Sequence, residues 1–189
     1  NTRIQVEHPV TEMTTGMDLV DLQIRLARGD DLLELSQERI APRGAAIECR
    51  LYAENPAKGF LPSTGTLRHL RAPQAVEFHV SSRGGPAPLR VDSGVREGDA
   101  ITPHYDPMIA KLVAWGETRQ IALGRLRAAL ADFEIVGVTT NVEFLARTVA
   151  SRAFCDVDLD TGLIERCGAE LFPADMRPSD EELAAAALA

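Results

Sequence analysis

From Met108 to Trp115 the chain reads Met-Ile-Ala-Lys-Leu-Val-Ala-Trp, apolar except for Lys111 and bounded by turn-forming residues. A short run of this kind reads as a buried strand. The period changes directly after it. Ala122, Leu126, Ala129, Leu130 and Phe133 recur at helical spacing, so Arg119–Phe133 reads as a helix with one apolar face. Such a pair needs a core. The 189 residues, 45% hydrophobic and 25% charged, are enough for one and exclude wholesale disorder.

The remainder of the sequence supplies short elements. Asn1 to Glu7 alternates, with Asn1, Arg3, Gln5 and Glu7 on one face and Ile4 and Val6 on the other, which predicts a strand. His8-Pro9 is expected to keep the chain extended. Thr15–Gly29 reads as one helix, with Thr15 and Asp18 as a capping pair, an apolar stripe of Met17, Val20, Ile24 and Ala27, and Gly29 past its end. Strand-like pieces follow at 47–52, 66–70, 76–80 and 89–91, separated by turn chemistry such as Pro62-Ser63-Thr64-Gly65. After a β-prone link at 134–138, Thr140 with Glu143 reads as a capping box opening a helix. A short helical stretch is expected at 161–166, a linker from Cys167 to Pro178, and a third box, Ser179 with Glu182, before the Ala-rich end.

Charge and cysteine usage exclude several function classes. The net charge of −8 and a pI of about 5.0 argue against a nucleic-acid surface, which needs a basic stripe. No run approaches the length of a membrane-spanning helix. Cys49, Cys155 and Cys167 are odd in number and widely spaced, which argues against a disulfide framework or a zinc site and for a reducing cytoplasm. The opening Asn1-Thr2-Arg3-Ile4, without an initiator methionine, leads us to expect a piece of a longer protein.

The polar face of the first seven residues carries the chemistry. Alternate residues of a strand stand about 6.6–6.8 Å apart. Arg3 offers a planar fork of donors for a carboxylate, bicarbonate or phosphate, Gln5 both a donor and an acceptor, and Glu7 a base or a ligand for a hard cation. Asn1 offers an amide oxygen. Together they suit a small oxyanion, although a solvated edge strand has the same alternation. Arg50, read alone, also fits a snorkelling or salt-bridged arginine, and Lys111 fits the same description. His8 fits a structural hydrogen-bonder, Tyr105-Asp106 a turn before a strand, and Cys49 a small buried hydrophobe.

At these residues a resemblance becomes specific. Asn1-Thr2-Arg3-Ile4-Gln5-Val6-Glu7-His8-Pro9-Val10-Thr11-Glu12 resembles the active-site strand of biotin carboxylase, an ATP-grasp enzyme. Glu48-Cys49-Arg50-Leu51-Tyr52-Ala53-Glu54, Phe60-Leu61-Pro62-Ser63-Thr64-Gly65, the stretch Tyr105 to Leu112, and Thr140-Asn141-Val142-Glu143-Phe144-Leu145 resemble further segments of that family, in its order. Pro9 is more like the acyl-CoA carboxylases than pyruvate carboxylase. Asp158 to Arg166 resembles the α subunits of methylcrotonyl-CoA-type enzymes, with propionyl- and acetyl-CoA relatives close behind.

The resemblance implies an α+β fold: the end of an ATP-grasp domain over residues 1–40, a biotin carboxylase C-terminal domain with a small antiparallel sheet packed with helices over 41–167, and a linker or tail over 168–189. It implies that Arg3, Gln5 and the Val6 backbone hold bicarbonate. Glu7 would deprotonate it for attack on ATP, and Arg50 would stabilise the oxygen of the biotin ureido ring as carboxyphosphate delivers its CO₂. Tyr105 and Asp106 would line the biotin side, and Asn1 would lie beside the Mg²⁺ or Mn²⁺ ions. The implied partners are a biotin carboxyl carrier domain, a carboxyltransferase subunit and a second copy of the parent, with neither nucleic acid nor membrane. The family's glycine-rich phosphate loop and acidic metal ligands would precede Asn1, so the fragment alone is expected to be inactive. The competing readings are a non-catalytic folding or dimerisation module and a fragment of pyruvate carboxylase.

Overall fold

The computed structural model describes residues 3–32, 35–82, 85–173 and 179–180, with only the backbone described at 81–82 and 85–86. The strands of three or more residues are β1 (Ala45–Tyr52), β2 (His69–Arg71), β3 (Leu89–Ser93), β4 (Met108–Gly116) and β5 (Glu134–Val136). The helices are α1 (His8–Thr15), α2 (Leu19–Ala27), α3 (Arg119–Ala131), α4 (Val142–Ala150), α5 (Arg152–Cys155), α6 (Leu163–Arg166) and α7 (Gly168–Leu171). Strands β1, β4 and β3 form an antiparallel sheet with β4 in the centre, and β2 pairs antiparallel with β5. Two-residue ladders join 54–55 to 61–62 and 65–66 to 100–101.

The apolar run at Met108 occupies the central strand because that position is covered on both faces. One face turns Cys49, Leu51, Val91, Ala110, Leu112 and Ala114 onto Leu123, Leu126 and Leu130 of α3, which forms the main core. The expected stripe of α3 is buried throughout. Thr118 caps this helix through its hydroxyl, which accepts from Ile121 N. A smaller cluster joins Phe144 of α4 to Leu163 and Leu171, with Phe60 and Phe172 packed around it. The Phe60 and Phe144 rings meet edge to face at 5.0 Å. The segment expected to be a linker from Cys167 thus begins as a helical turn whose Leu171 is fully buried.

The other face of the sheet is polar. Register places Arg50 beside Lys111 and Lys111 beside Asp92, with Arg90 two residues before Asp92 on β3. Helix α1 covers this face, burying Glu12 and Met13. Arg90 donates to Glu12 Oε2 at 2.7 Å and forks onto both Asp92 oxygens at 2.8 Å. All three side chains are buried, so the pairing is obligatory: one unpaired charge here would be strongly destabilising. Burial opposes the charge of Arg90, but the hydrogen bonds it donates to Asp92 and Glu12 outweigh it and raise its pKa. Burial likewise opposes the ionised form of Asp92, and Arg90 overcomes it, holding the carboxyl below its usual range.

The N-terminal expectations need correction. Residues 3–7 pair with no strand among the described residues; Val6 and Glu7 form a turn and His8 begins α1. Pro9 does not hold the chain extended. It stands in the first turn of α1, where its missing N–H has no partner to lose. The helix expected at 15–29 is α2, which starts only at Leu19, and α1 before it was not expected. Gly16, at φ +76°, takes the left-handed conformation and ends α1, and Asp18, not Thr15, caps α2 by accepting from Asp21 N. Gly29 does lie past the end of α2, where its N–H reaches Leu26 O and that of Asp30 reaches Arg25 O. The stripe on α2 is not buried: Val20 and Ile24 are exposed. The strand expected at 76–80 is reduced to one bridge between Val76 and Arg90. The box of Ser179 and Glu182 falls largely outside the described residues.

Candidate active site

Glu7 is the last residue before α1 and makes no capping hydrogen bond, which leaves its carboxylate free to point away from the helix. It meets Arg50, 43 positions later, in the middle of β1: Arg50 Nη2 stands 2.9 Å from Glu7 Oε2. On its inner side, Arg50 Nε lies 3.5 Å from Glu48 Oε1. Glu48 precedes Arg50 by two residues on an alternating strand, so both side chains share a face. The guanidinium therefore sits between two carboxylates of different kinds. The Glu7 side chain is 59% exposed and that of Glu48 is 6% exposed. Glu48 Oε2 is buried without a hydrogen-bond partner among the described residues. Burial pushes the Glu48 carboxyl up, against the lowering effect of Lys111 and Arg50.

Lys111 ties the turn before α1 to the sheet. Its ammonium lies 3.4 Å from Val6 O, 3.2 Å from His8 Nε2 and 3.3 Å from Asp92 Oδ2. His8 Nδ1 in turn stands 2.9 Å from Glu12 Oε1, within ion-pair range for a protonated ring but outside hydrogen-bond geometry. Lys111 thus pairs with an acid, and His8 packs into the fold beside it. Cys49 is buried on the opposite face, and burial pushes its thiol up to about 12.

Asn141 steadies Arg50 from the far side. Its amide oxygen accepts from Tyr52 N at 2.9 Å, and its amide nitrogen donates to Arg50 O at 3.1 Å and Glu54 Oε1 at 3.0 Å. Asn141 is the residue before α4, but these bonds take its side chain away from the helix end, so α4 starts without the side-chain cap expected from Thr140 and Glu143.

Two clefts meet at Glu7. One, about 510 Å³, is lined by Arg3, Gln5, Glu7 and the apolar Ile4, Leu19 and Leu26. The other, about 640 Å³, is lined by Glu7, Glu48, Arg50, Tyr52 and Asn141. Arg3 donates to Ile4 O at 3.0 Å. Tyr105 and Asp106 line a separate hollow, with Tyr105 83% exposed and Asp106 accepting from Met108 N. Asn1 lies outside the described residues. Among the described residues no three side chains are grouped to hold a metal ion. What Arg3, Gln5, Glu7 and Arg50 suit is an oxyanion and a polar carbonyl: two guanidinium forks, an amide and an exposed base.

Comparison with known proteins decides the family. Residues 48–166 match the family described as biotin carboxylase C-terminal domain. The chain belongs to the biotin carboxylase family. Residues 1–35 match the carbamoyl-phosphate synthase L chain, ATP binding domain. The α subunit of mitochondrial methylcrotonoyl-CoA carboxylase from Oryza sativa subsp. japonica is 51% identical over 166 residues, covering 88% of this chain and 21% of that protein. The corresponding subunit from Mus musculus is 44% identical over 188 residues, all of this chain and 25% of that one. The biotin carboxylase domain of Hydrogenobacter thermophilus 2-oxoglutarate carboxylase, a dimer solved with MgADP, ADP and bicarbonate, superposes with a TM-score of 0.83 at 41% identity, over 93% of this chain and 36% of that one. The chain therefore spans about a fifth to a quarter of the length of these curated relatives.

Within this biotin carboxylase architecture the α+β expectation holds, with a small antiparallel sheet packed against helices. The sequence brought Glu7 and Arg50 to notice but not Glu48, Asp92 or Asn141. The signals were present: Glu48 shares the parity of Arg50 on β1, and Lys111 is the one charge in the central run.

Proposed function

We propose that these residues form the bicarbonate and biotin side of a biotin carboxylase, acting within a longer polypeptide that carboxylates biotin at the expense of ATP. The observation that carries this reading is the ion pair of Glu7 with Arg50, which unites two separate family-like segments at one point. The exposed Glu7 carboxylate is the base that takes the proton of bicarbonate. Arg3, Gln5 and the Val6 backbone hold that anion, and Tyr105 and Asp106 approach from the carrier side. Arg50 has a half-exposed guanidinium able to bind the oxygen of a ureido ring as negative charge develops there. ATP supplies the leaving group that activates bicarbonate, and biotin supplies the nitrogen that accepts the carboxyl. Asn1 would lie beside the divalent cation, Mg²⁺ or Mn²⁺, that accompanies ATP.

The wider assignments rest on the relatives. We propose a methylcrotonyl-CoA-type acyl-CoA carboxylase, served by a biotin carboxyl carrier domain and a carboxyltransferase subunit, with the parent self-associating. We also propose a cytoplasmic location, supported by three free thiols. Among the described residues no helix is long and apolar enough to cross a membrane. We further assign residues 1–40 to the end of the ATP-grasp domain and 41–167 to the C-terminal domain, with α7 packed onto that domain through Leu171 and the tail following α7.

The test separates two activities in the full-length enzyme. Arg50→Ala removes the fixed charge and should slow carboxylation of biotin by about 10²–10³, the loss typical of one oxyanion donor. Arg50→Lys keeps the charge without the fork and should recover part of the rate. Bicarbonate-dependent ATP cleavage without biotin should survive in both. If the two activities fall together in a folded enzyme, Arg50 serves the bicarbonate or the packing, and the division of roles is wrong.

A further inference from the structure

We infer that Glu48 is the positioning residue of Arg50: the buried carboxylate that holds the guanidinium in place while Glu7 is engaged elsewhere. The inference rests on the reading of Arg50 just given. Arg50 has two acidic neighbours, and they cannot do the same work. Glu7 is exposed, and an exposed ion pair is held weakly in water. If Glu7 is the base, its contact with Arg50 has to yield when a substrate takes either partner. Through that exchange Arg50 needs a contact that does not open.

Glu48 has the properties of such a contact. Its side chain is 6% exposed, its Oε1 lies 3.5 Å from Arg50 Nε, and a neighbouring rung of the sheet carries Lys111, whose charge also favours the anion. Nε is the inner nitrogen of the guanidinium. An ion-pair contact there restrains the inner side of the group, while Nη2 reaches Glu7 and Arg50 lines the cleft with Glu7 and Tyr52. Glu48 Oε2 is buried and has no hydrogen-bond partner among the described residues. A carboxylate buried for packing alone would have both oxygens hydrogen-bonded, whereas the contact of this one is its ion pair with Arg50. Asn141 adds a second restraint by fixing the backbone at Arg50 O and Tyr52 N.

The experiment is a double-mutant cycle in the full-length enzyme, with biotin carboxylation as the readout. Glu48→Ala should lower kcat about 10²-fold, the effect of an ångström-scale misplacement of a catalytic group. Glu48→Gln keeps an acceptor oxygen for Arg50 Nε and should restore a large part of that loss. In an Arg50→Ala background, Glu48→Ala should add less than about a twofold further loss, because a positioning residue has nothing left to position. Where Glu48→Ala does not fold, Glu48→Met, of similar length but without an acceptor, carries the same cycle. Losses that multiply in full across the two sites overturn the inference, as does an unimpaired Glu48→Ala enzyme. An unimpaired Arg50→Ala enzyme overturns the reading of Arg50 itself and this inference with it.

Discussion

Glu7 and Glu48 are two carboxylates around one guanidinium, and their surroundings give them opposite tasks. Glu7 is open to water and free at its helix end, as a base that meets a small anion has to be. Glu7→Gln keeps the shape and removes the base, so the full-length enzyme should lose about 10²–10⁴ in carboxylation rate while ATP affinity holds. Steady-state kinetics at saturating bicarbonate check this, and an unchanged kcat rules out the role. Glu48 makes a separate prediction through its raised pKa, which burial causes. A raised carboxyl pKa means that folding favours the protonated form. Its stabilising contribution is complete below the ordinary value of 4.5 and is lost as pH rises through the folded value. Glu48→Gln should therefore raise the melting temperature of the chain at pH 7.5, and the gain should close below pH 4.5. Thermal denaturation at both pH values tests it; a lower melting temperature at pH 7.5 would show that the ionised form stabilises the fold.

At the scale of elements, the contact between α1 and the sheet depends on Arg90. Its removal leaves Glu12 and Asp92 buried as anions, so Arg90→Met should destabilise the chain by about 3–5 kcal/mol. At roughly 2–4 °C per kcal/mol for a domain of this size, melting should fall by about 6–20 °C. A drop under 2 °C would mean that the network relaxes through water. Asp92 adds an acid limb of known sign. Its lowered pKa gives stability that is complete above the ordinary value of 3.8 and is lost as pH falls through the folded value. Elements whose own pattern decided them were legible: β4 from its apolar run, and α3 from its stripe and from Thr118 before it. The first seven residues were not. Alternation reports which side chains share a face, but a strand also needs a neighbour, and among the described residues 3–7 have none. Helix α1 was missed for another reason: Pro9 reads as holding the chain extended, whereas a proline in the first turn of a helix costs no hydrogen bond. The expected start of α2 lies early because Thr15 and Asp18 both suit a cap, and three residues, 16–18, separate the two helices.

For the molecule as a whole, family resemblance made Glu7 and Arg50 legible as members of one site, but not their ion pair, and the groups that hold Arg50 were not legible because their importance lies in burial. The described part also exposes Val20, Ile24 and Leu26 on α2, beside a cleft with apolar walls. Purified residues 1–189 are expected to show no bicarbonate-dependent cleavage of ATP, since they span only about a fifth to a quarter of the length of the curated relatives. Release of inorganic phosphate above background would refute this.

Asn141 has a consequence for solubility. Its amide meets Arg50 O and Tyr52 N as a neighbouring strand would, so a single side chain occupies two of the hydrogen-bonding positions at the rim of β1, at its C-terminal end. An open rim is where a second molecule can add its own strand and begin a fibre. Asn141 thus keeps the sheet finite on the side where Arg50 works, and Asn141→Ala would leave two backbone groups free to recruit another chain.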